Sequence, residues 1–187
     1  GKQGHAIAVA CAELGADVTL VTGPTALRPP SGVKTVPIKT AVEMLDACKA
    51  DLPADCIICA AAVADWRPIQ ASDSKIKKDG AAPAISLTEN PDILATLAQG
   101  KDGAQRPALV IGFAAETDAV EQNAQDKFLR KGCDWLLANS VKGGSTFGED
   151  QNEVILFTKT SQEPWPKGSK QAIASRLADK IVDYFRD

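Results

Sequence analysis

Histidine, methionine and tyrosine each occur once in these 187 residues, and aromatic residues make up only 5%. The single histidine, His5, argues against a Ser–His or Cys–His nucleophile, because a lone histidine is more often structural than catalytic. Basic charge is not in excess: 21 lysines and arginines stand against 24 aspartates and glutamates, a net charge of −3. That balance argues against a nucleic-acid partner, which calls for a basic surface to displace counterions. No apolar run reaches the length of about 18 residues that a membrane-spanning helix requires, so no membrane partner is expected. Internal repeats and low-complexity tracts are absent. Cysteine is sparse, at Cys11, Cys48, Cys56, Cys59 and Cys133. Cys56 and Cys59 form a C-x-x-C, which suggests a redox pair or half a zinc site. They lie in an apolar strand-like run, however, where positions three apart point to opposite faces. No second pair stands at zinc spacing. All five therefore read as reduced thiols of a cytoplasmic protein.

What is present is an ordinary soluble composition, 44% hydrophobic and 24% charged, long enough for one domain with a full core. A helical stretch from His5 to Leu14 stops at Gly15. Strands are expected at 17–21 and 33–38. Thr40 and Glu43 form a capping box that opens a helix to about Ala50. Residues 56–62 form an unbroken apolar run, as in a strand buried on both faces of a parallel sheet. A polar stretch from Asp65 to Ala84 lacks periodicity and reads as a mobile loop. Asn90 is expected to cap the next helix, with Pro91 and Asp92 in its first turn. A strand at 108–113, a helix from Thr117 to Lys131 and a strand at 134–138 follow. The loop 139–150, a last strand at 153–158 and a helix from Ser169 to Arg186 close the chain. That helix carries Ile173, Leu177, Ile181, Tyr184 and Phe185 on one stripe. The alternation predicts an α/β, three-layer, Rossmann-like fold. Its sheet is mainly parallel with helices on both faces, and an antiparallel edge strand lies near the C-terminus. The whole of 1–187 reads as a single nucleotide-binding domain. Gly1-x-x-Gly4 runs into a helix with no strand before it, so the chain reads as trimmed at its N-terminus.

In such sheets ligands bind at the carboxyl ends of the strands. The candidate positions are therefore Thr22 to Pro24, Ala61 to Asp65, Phe113 to Thr117 and Asn139. Asp65 follows small residues that leave room for a flat ligand, and its carboxylate can take a ribose hydroxyl or a metal ion. The competing role is a turn or helix cap. Lys75, Lys77 and Lys78 are either a solvated charge run or the tip of a lid that closes over phosphates. Lys127 and Lys131, four apart on one helix with Arg130 beside them, read from spacing alone as a wet helix face. Glu116 suits a metal, a substrate amine or a helix cap.

Taken together, several blocks resemble one family. They are GKQGHAIA at 1–8, ADVTLVTGP at 16–24, AAAVADWRP at 60–68, KIKK at 75–78, ENPDIL at 89–94, IGFAAET at 111–117, KFLRK at 127–131 and LLANSV at 136–141. In this order they resemble the synthetase domain of the phosphopantothenate–cysteine ligases, over nearly the whole chain. The resemblance implies that the carboxylate of 4'-phosphopantothenate attacks CTP, giving an acyl-cytidylate and pyrophosphate, and that cysteine then displaces CMP. CTP rather than ATP is implied, with Mg2+ or another divalent cation as cofactor and no metal ligand assigned. It implies Lys75 as the lid lysine acting on the phosphates. Cys59, Ala60 and Ala61, with Asp65, match the nucleotide pocket. Pro91, Asp92, Ile93, Leu94 and Phe113 match its base-side wall, and Lys127 and Lys131 match further basic contacts. A homodimer and a fused flavin-dependent decarboxylase domain are implied as well. So is a segment ahead of Gly1 ending in N-x-S-S-G-K, without which the chain is expected to be impaired or inactive.

Two other readings compete. A nicotinamide-dependent oxidoreductase would share the fold, but it should show G-x-G-x-x-G and an acidic end to the second strand, where this chain has Thr22-Gly23. A non-catalytic nucleotide-binding module would bind without turnover.

Overall fold

The computed structural model describes residues 1–70, 84–116, 120–140 and 151–186. Helix α1 (Lys2–Glu13) leads to β1 (Thr19–Thr22) and β2 (Lys34–Pro37), then α2 (Ala41–Ala50) and β3 (Cys56–Cys59). A short ribbon follows, β4 (Trp66–Pro68) and β5 (Leu87–Glu89), then α3 (Ile93–Ala98), β6 (Leu109–Glu116), α4 (Val120–Lys131) and β7 (Trp135–Ser140). The chain closes with β8 (Gln151–Asn152), β9 (Val154–Phe157), β10 (Gln162–Pro164), β11 (Gly168–Ser169) and α5 (Lys170–Arg186).

The central sheet has the order β10-β9-β7-β6-β3. β3, β6 and β7 are parallel, while β9 runs antiparallel to β7 and β10 antiparallel to β9. Period-two alternation along β6 sorts its side chains onto two layers. Leu109 and Ile111 pack with Ile7 and Ala10 of α1 and with Ile173, Ala174, Leu177 and Ala178 of α5. Val110 and Ala114 face the other way, onto Leu94 and Ala98 of α3 and Ala124 and Phe128 of α4. The three-layer arrangement thus follows from the apolar pattern, and the antiparallel strands stand near the C-terminus as expected. The α2 start is the expected box: Glu43 N–H donates to Thr40 Oγ1 at 3.1 Å, and Glu43 Oε2 accepts from Thr40 N–H at 3.2 Å.

β1 and β2 pair only with each other, so the parallel strands fall into two pieces with a cleft between β1 and β3. In a parallel ladder both backbone groups of a residue point to one side, and alternate residues point to alternate sides. Leu109 N–H donates to Asp55 O, so the backbone groups of Cys56 and Ile58 face the cleft. Lys34 N–H donates to Val18 O, so those of Thr19 and Val21 face it from the other side.

Several expectations are corrected. The run 56–62 is a strand only over Cys56–Cys59, and it is half-buried because it stands at the sheet's edge with the cleft on its outer side. The stretch from Asp65 to Ala84 is not wholly structureless. Its first residues form β4, which pairs antiparallel with β5, while residues 71–83 lie outside the described residues. The cap of α3 is Asp92 rather than Asn90, its Oδ1 accepting from Ala95 N–H at 3.1 Å; Pro91 precedes the cap. Asn90 is drawn instead into contacts with the loop after β3. On α5, Ile173 and Leu177 are buried, but Tyr184 and Phe185 are 42% and 46% exposed: Tyr184 packs edge-on against Trp135 at the start of β7, and Phe185 borders the cleft. The expected helix start at Thr117 and the loop 141–150 lie outside the described residues. Among the described residues, no helix is long and apolar enough to cross a membrane.

Candidate functional site

The carboxyl ends of β1, β3, β6 and β7 open onto one end of the cleft, a trough of about 2580 Å³ that runs along the whole length of β1 and β3. That is larger than the roughly 300–1,000 Å³ of an ordinary small-molecule pocket, so bordering it is a weak criterion for a site residue. The hydrogen bonds and ion pairs along its rim discriminate better.

After β3 the chain runs through Ala61, Ala62, Val63, Ala64 and Asp65, all exposed. These residues leave backbone accessible, and among the described residues the loop's hydrogen bonds come from one side. Asn90 N–H donates to Asp65 O at 2.7 Å, and Asn90 Nδ2 donates to Ala64 O at 2.8 Å. Arg67 Nη1 donates to Asn90 Oδ1 at 3.2 Å and also to Glu89 O.

Beyond Asn90, the Asp92 carboxylate caps α3 through one oxygen and pairs with Lys131 Nζ through the other. Burial acts to raise the Asp92 carboxyl, but the Lys131 ammonium, the Ala95 N–H and Arg130 outweigh it and hold the group below the ordinary carboxylate range. Lys127 lies one turn before Lys131 on the same face of α4, and both border the cleft. Ile93 and Leu94 are buried under the rim, while Phe113 is half-buried on the opposite face of β6, against the layer of α1 and α5. Gly112 lets α3 approach the sheet here: a Cβ would stand 2.6 Å from Leu94 Cδ2 and 2.9 Å from Leu136 Cδ1.

Every expected pocket residue that the structure describes borders this cleft. These are Cys59, Ala60, Ala61, Asp65, Pro91, Asp92, Ile93, Leu94, Phe113, Lys127 and Lys131. Lys75, Lys77 and Lys78 lie outside the described residues. Asn139, at the carboxyl end of β7, also lines the cleft, and its buried Oδ1 has no hydrogen-bond partner among the described residues. A buried orphan acceptor is a place for a ligand N–H or hydroxyl.

The cysteines take no part as nucleophiles. Burial pushes the thiols of Cys56 and Cys59 up to about 12 and that of Cys48 to about 11, so the reactive thiolate is scarce near neutral pH. All five are free, and Cys56 and Cys59 pack into different core layers, as the spacing required. His5 is buried, with Nδ1 3.0 Å from Gly1 O, a structural role at the start of α1.

Among the described residues, no three His, Cys, Asp or Glu side chains group to cage a metal. A cation that arrives on a triphosphate keeps mostly phosphate and water oxygens and needs one or two carboxylates. Asp65, exposed at the rim, fits that requirement.

Sequence reasoning missed Arg67, the bracket made by Asn90, and Gly112. The glycine within an apolar strand was a usable signal for close approach. The Arg67–Asn90 contact spans 23 residues and had no local signature.

A family model described as "DNA/pantothenate metabolism flavoprotein C-terminal domain" matches residues 1–185. The chain is 42% identical over 194 residues to the coenzyme A biosynthesis bifunctional protein CoaBC of Mycobacterium bovis, covering 98% of this chain and 46% of that protein. It is 42% identical over 187 residues to CoaBC of Escherichia coli strain K12, covering 97% of this chain and 45% of that protein. The chain therefore spans about half the length of the curated relatives it matches. A solved structure of the C-terminal domain of a CoaBC superposes with a TM-score of 0.79 at 37% identity, covering 100% of this chain and 85% of that one.

Proposed function

The chain belongs to the DNA/pantothenate metabolism flavoprotein C-terminal domain family, and from that membership we propose that it is the ligase part of a coenzyme A biosynthesis protein. In this reading it joins 4'-phosphopantothenate to cysteine at the expense of CTP. A carboxylate oxygen attacks the α-phosphorus of CTP; the bond to the β-phosphate oxygen breaks and pyrophosphate leaves. The cysteine amine then attacks the acyl carbon, loses its proton and expels CMP. Activation is needed because a carboxylate is a poor acyl donor, and two anions must be held in line against their repulsion.

The observation that carries the reading is one stretch of the cleft rim. Asp92 caps α3 and pairs with Lys131, which sets the start of α3 and the Lys127–Lys131 face of α4 together near the exposed residues Ala61, Ala62 and Asp65 that follow β3. We assign the base-side wall to Pro91, Ile93, Leu94 and Phe113, the pocket floor to Cys59, Ala60 and Ala61, and phosphate contacts to Lys127 and Lys131. Lys75 is assigned to charge stabilisation as pyrophosphate leaves. Asp65 would hold a Mg2+ delivered with the nucleotide, whose charge would offset that of the triphosphate.

We further assign the protein to the cytoplasm, where its free thiols suit a reducing compartment, with a flavin-dependent decarboxylase as the other half of a longer parent. A homodimer is supported by the ribbon β4–β5, where Trp66, Ile69, Ile85 and Leu87 are all more than half exposed. Sedimentation velocity giving only monomer at micromolar concentration would remove the dimer. The central test is thermal. CTP should raise the melting temperature of the chain more than NAD does, and equal or greater stabilisation by NAD would defeat the ligase reading.

A further inference from the structure

The loop Ala61–Asp65 raises a physical question. It is exposed along its whole length, yet a nucleotide pocket requires its backbone to stand in one place. Exposed loops of small residues have little packing to fix them, and ordering their backbone costs conformational entropy. The described hydrogen bonds that restrain this loop come from Asn90. Its N–H holds Asp65 O and its side-chain amide holds Ala64 O. Arg67 in turn grips the Asn90 side chain through Oδ1 and the backbone through Glu89 O.

The geometry points to Arg67 and Asn90 as a positioning pair, which sets the Ala61–Asp65 rim against the start of α3; this rests on the nucleotide-site reading above. Orientation of the Asn90 carboxamide is the crux. With Oδ1 accepting from Arg67, Nδ2 is left to donate to Ala64 O, so the guanidinium selects the rotamer that holds the rim. An arginine suits this task because its planar fork reaches a backbone carbonyl and a side-chain acceptor together. Two residues further on, Asp92 caps α3 and pairs with Lys131. The bracket therefore fixes the spacing between the rim backbone and the cation opposite it. Neither Arg67 nor Asn90 is required to touch the ligand. Arg67 sits on β4, beside the exposed apolar face of the ribbon, so the same pair ties that face to the rim.

Asn90→Asp tests the pair with little change of shape. A carboxylate still accepts from Arg67 but has no donor for Ala64 O. Hydrogen exchange and CTP titration are run on the 187-residue chain, its Asn90→Asp and Arg67→Met variants, and the double variant. We expect faster exchange at the amide of residue 90, unchanged exchange in β6, and CTP binding weaker by about tenfold in each single variant, the scale of one lost hydrogen bond that leaves its partner unsatisfied. The double variant should bind little worse than either single one, because both act through one bracket. Arg67→Lys should recover part of the loss. Multiplicative effects in the double variant, or single variants with unchanged exchange and unchanged CTP binding, would overturn the inference. A wild-type chain that fails to bind CTP would sink the nucleotide reading, while the exchange data would still decide the bracket. Faster exchange throughout β6 would mean a general loss of fold, and it would overturn the positioning role.

Discussion

The two flanks of the fold are built on different principles. On the side of β7, β9 and α5, side chains vanish from solvent: Leu136, Leu137, Ala138, Val154 and Leu177 are all 0% exposed. On the side of β1 and β3 every strand residue is half-buried, and the loops beyond are held by hydrogen bonds to backbone carbonyls. The first flank gains its stability from close-packed apolar area. The second has less packing, because the edges of β1 and β3 face each other across the cleft without a ladder between them. Close packing and exposed backbone are thus segregated to opposite sides of the fold.

The sharpest test of that contrast is a pair of matched truncations. Leu137→Ala should destabilise the chain by about 2–5 kcal/mol, the cost of a cavity in a packed core. Ile58→Ala on β3 should cost less than half as much, since its site is half-open to the cleft and leaves little enclosed void. Urea denaturation of both variants checks this, and equal costs would erase the distinction between the flanks.

The packed flank was also the legible one. Apolar runs at 108–113 and 134–138 named β6 and β7, because burial on both faces leaves a continuous signal. The same signal misled at 56–62, where the run promised a strand enclosed on both sides and β3 proved to border the cleft. Thr40 and Glu43 announced α2 because a capping box is local in sequence. Asn90-Pro91-Asp92 pointed to the right helix but the wrong cap: Asn90 is drawn off by Ala64 and Arg67, and Asp92 takes its place. Such long-range competition leaves no trace in local spacing. Lys127 and Lys131 show the same limit. Their spacing described only a helix face, and the tertiary pairing of Lys131 with Asp92 directs that face to the cleft.

A substitution on that face separates function from stability. Lys131→Gln removes the cation yet keeps a donor for Asp92, so the fold should change by about 1 kcal/mol or less, as expected of a partly exposed pair. CTP affinity should fall by about tenfold, because a cation facing a triphosphate is worth more than one facing solvent. Isothermal titration alongside thermal melts reads both quantities. A large loss of stability with unchanged CTP affinity would move Lys131 from the rim's chemistry to its architecture.

The smallest expected effect concerns acid, and it probes one paired carboxylate on each flank. The Lys180 ammonium, followed by Arg176, holds the Glu163 carboxyl below its ordinary value despite some opposing burial. Asp92 is held low on the other flank. A group whose folded value is depressed binds protons more readily when unfolded, so its contribution is fully present above the unfolded value. It is lost as pH falls through the folded one. Melting temperature should therefore be flat near neutrality with respect to both groups and should decline below about pH 4.5, the ordinary glutamate value. Glu163→Gln should remove part of that decline and leave CTP affinity alone, because its partners lie on α5, away from the rim. Asp92→Asn should also soften the decline but should disturb CTP affinity through Lys131. If both variants changed the acid slope and CTP affinity alike, the two flanks would be electrostatically one unit, and the contrast between them would fail.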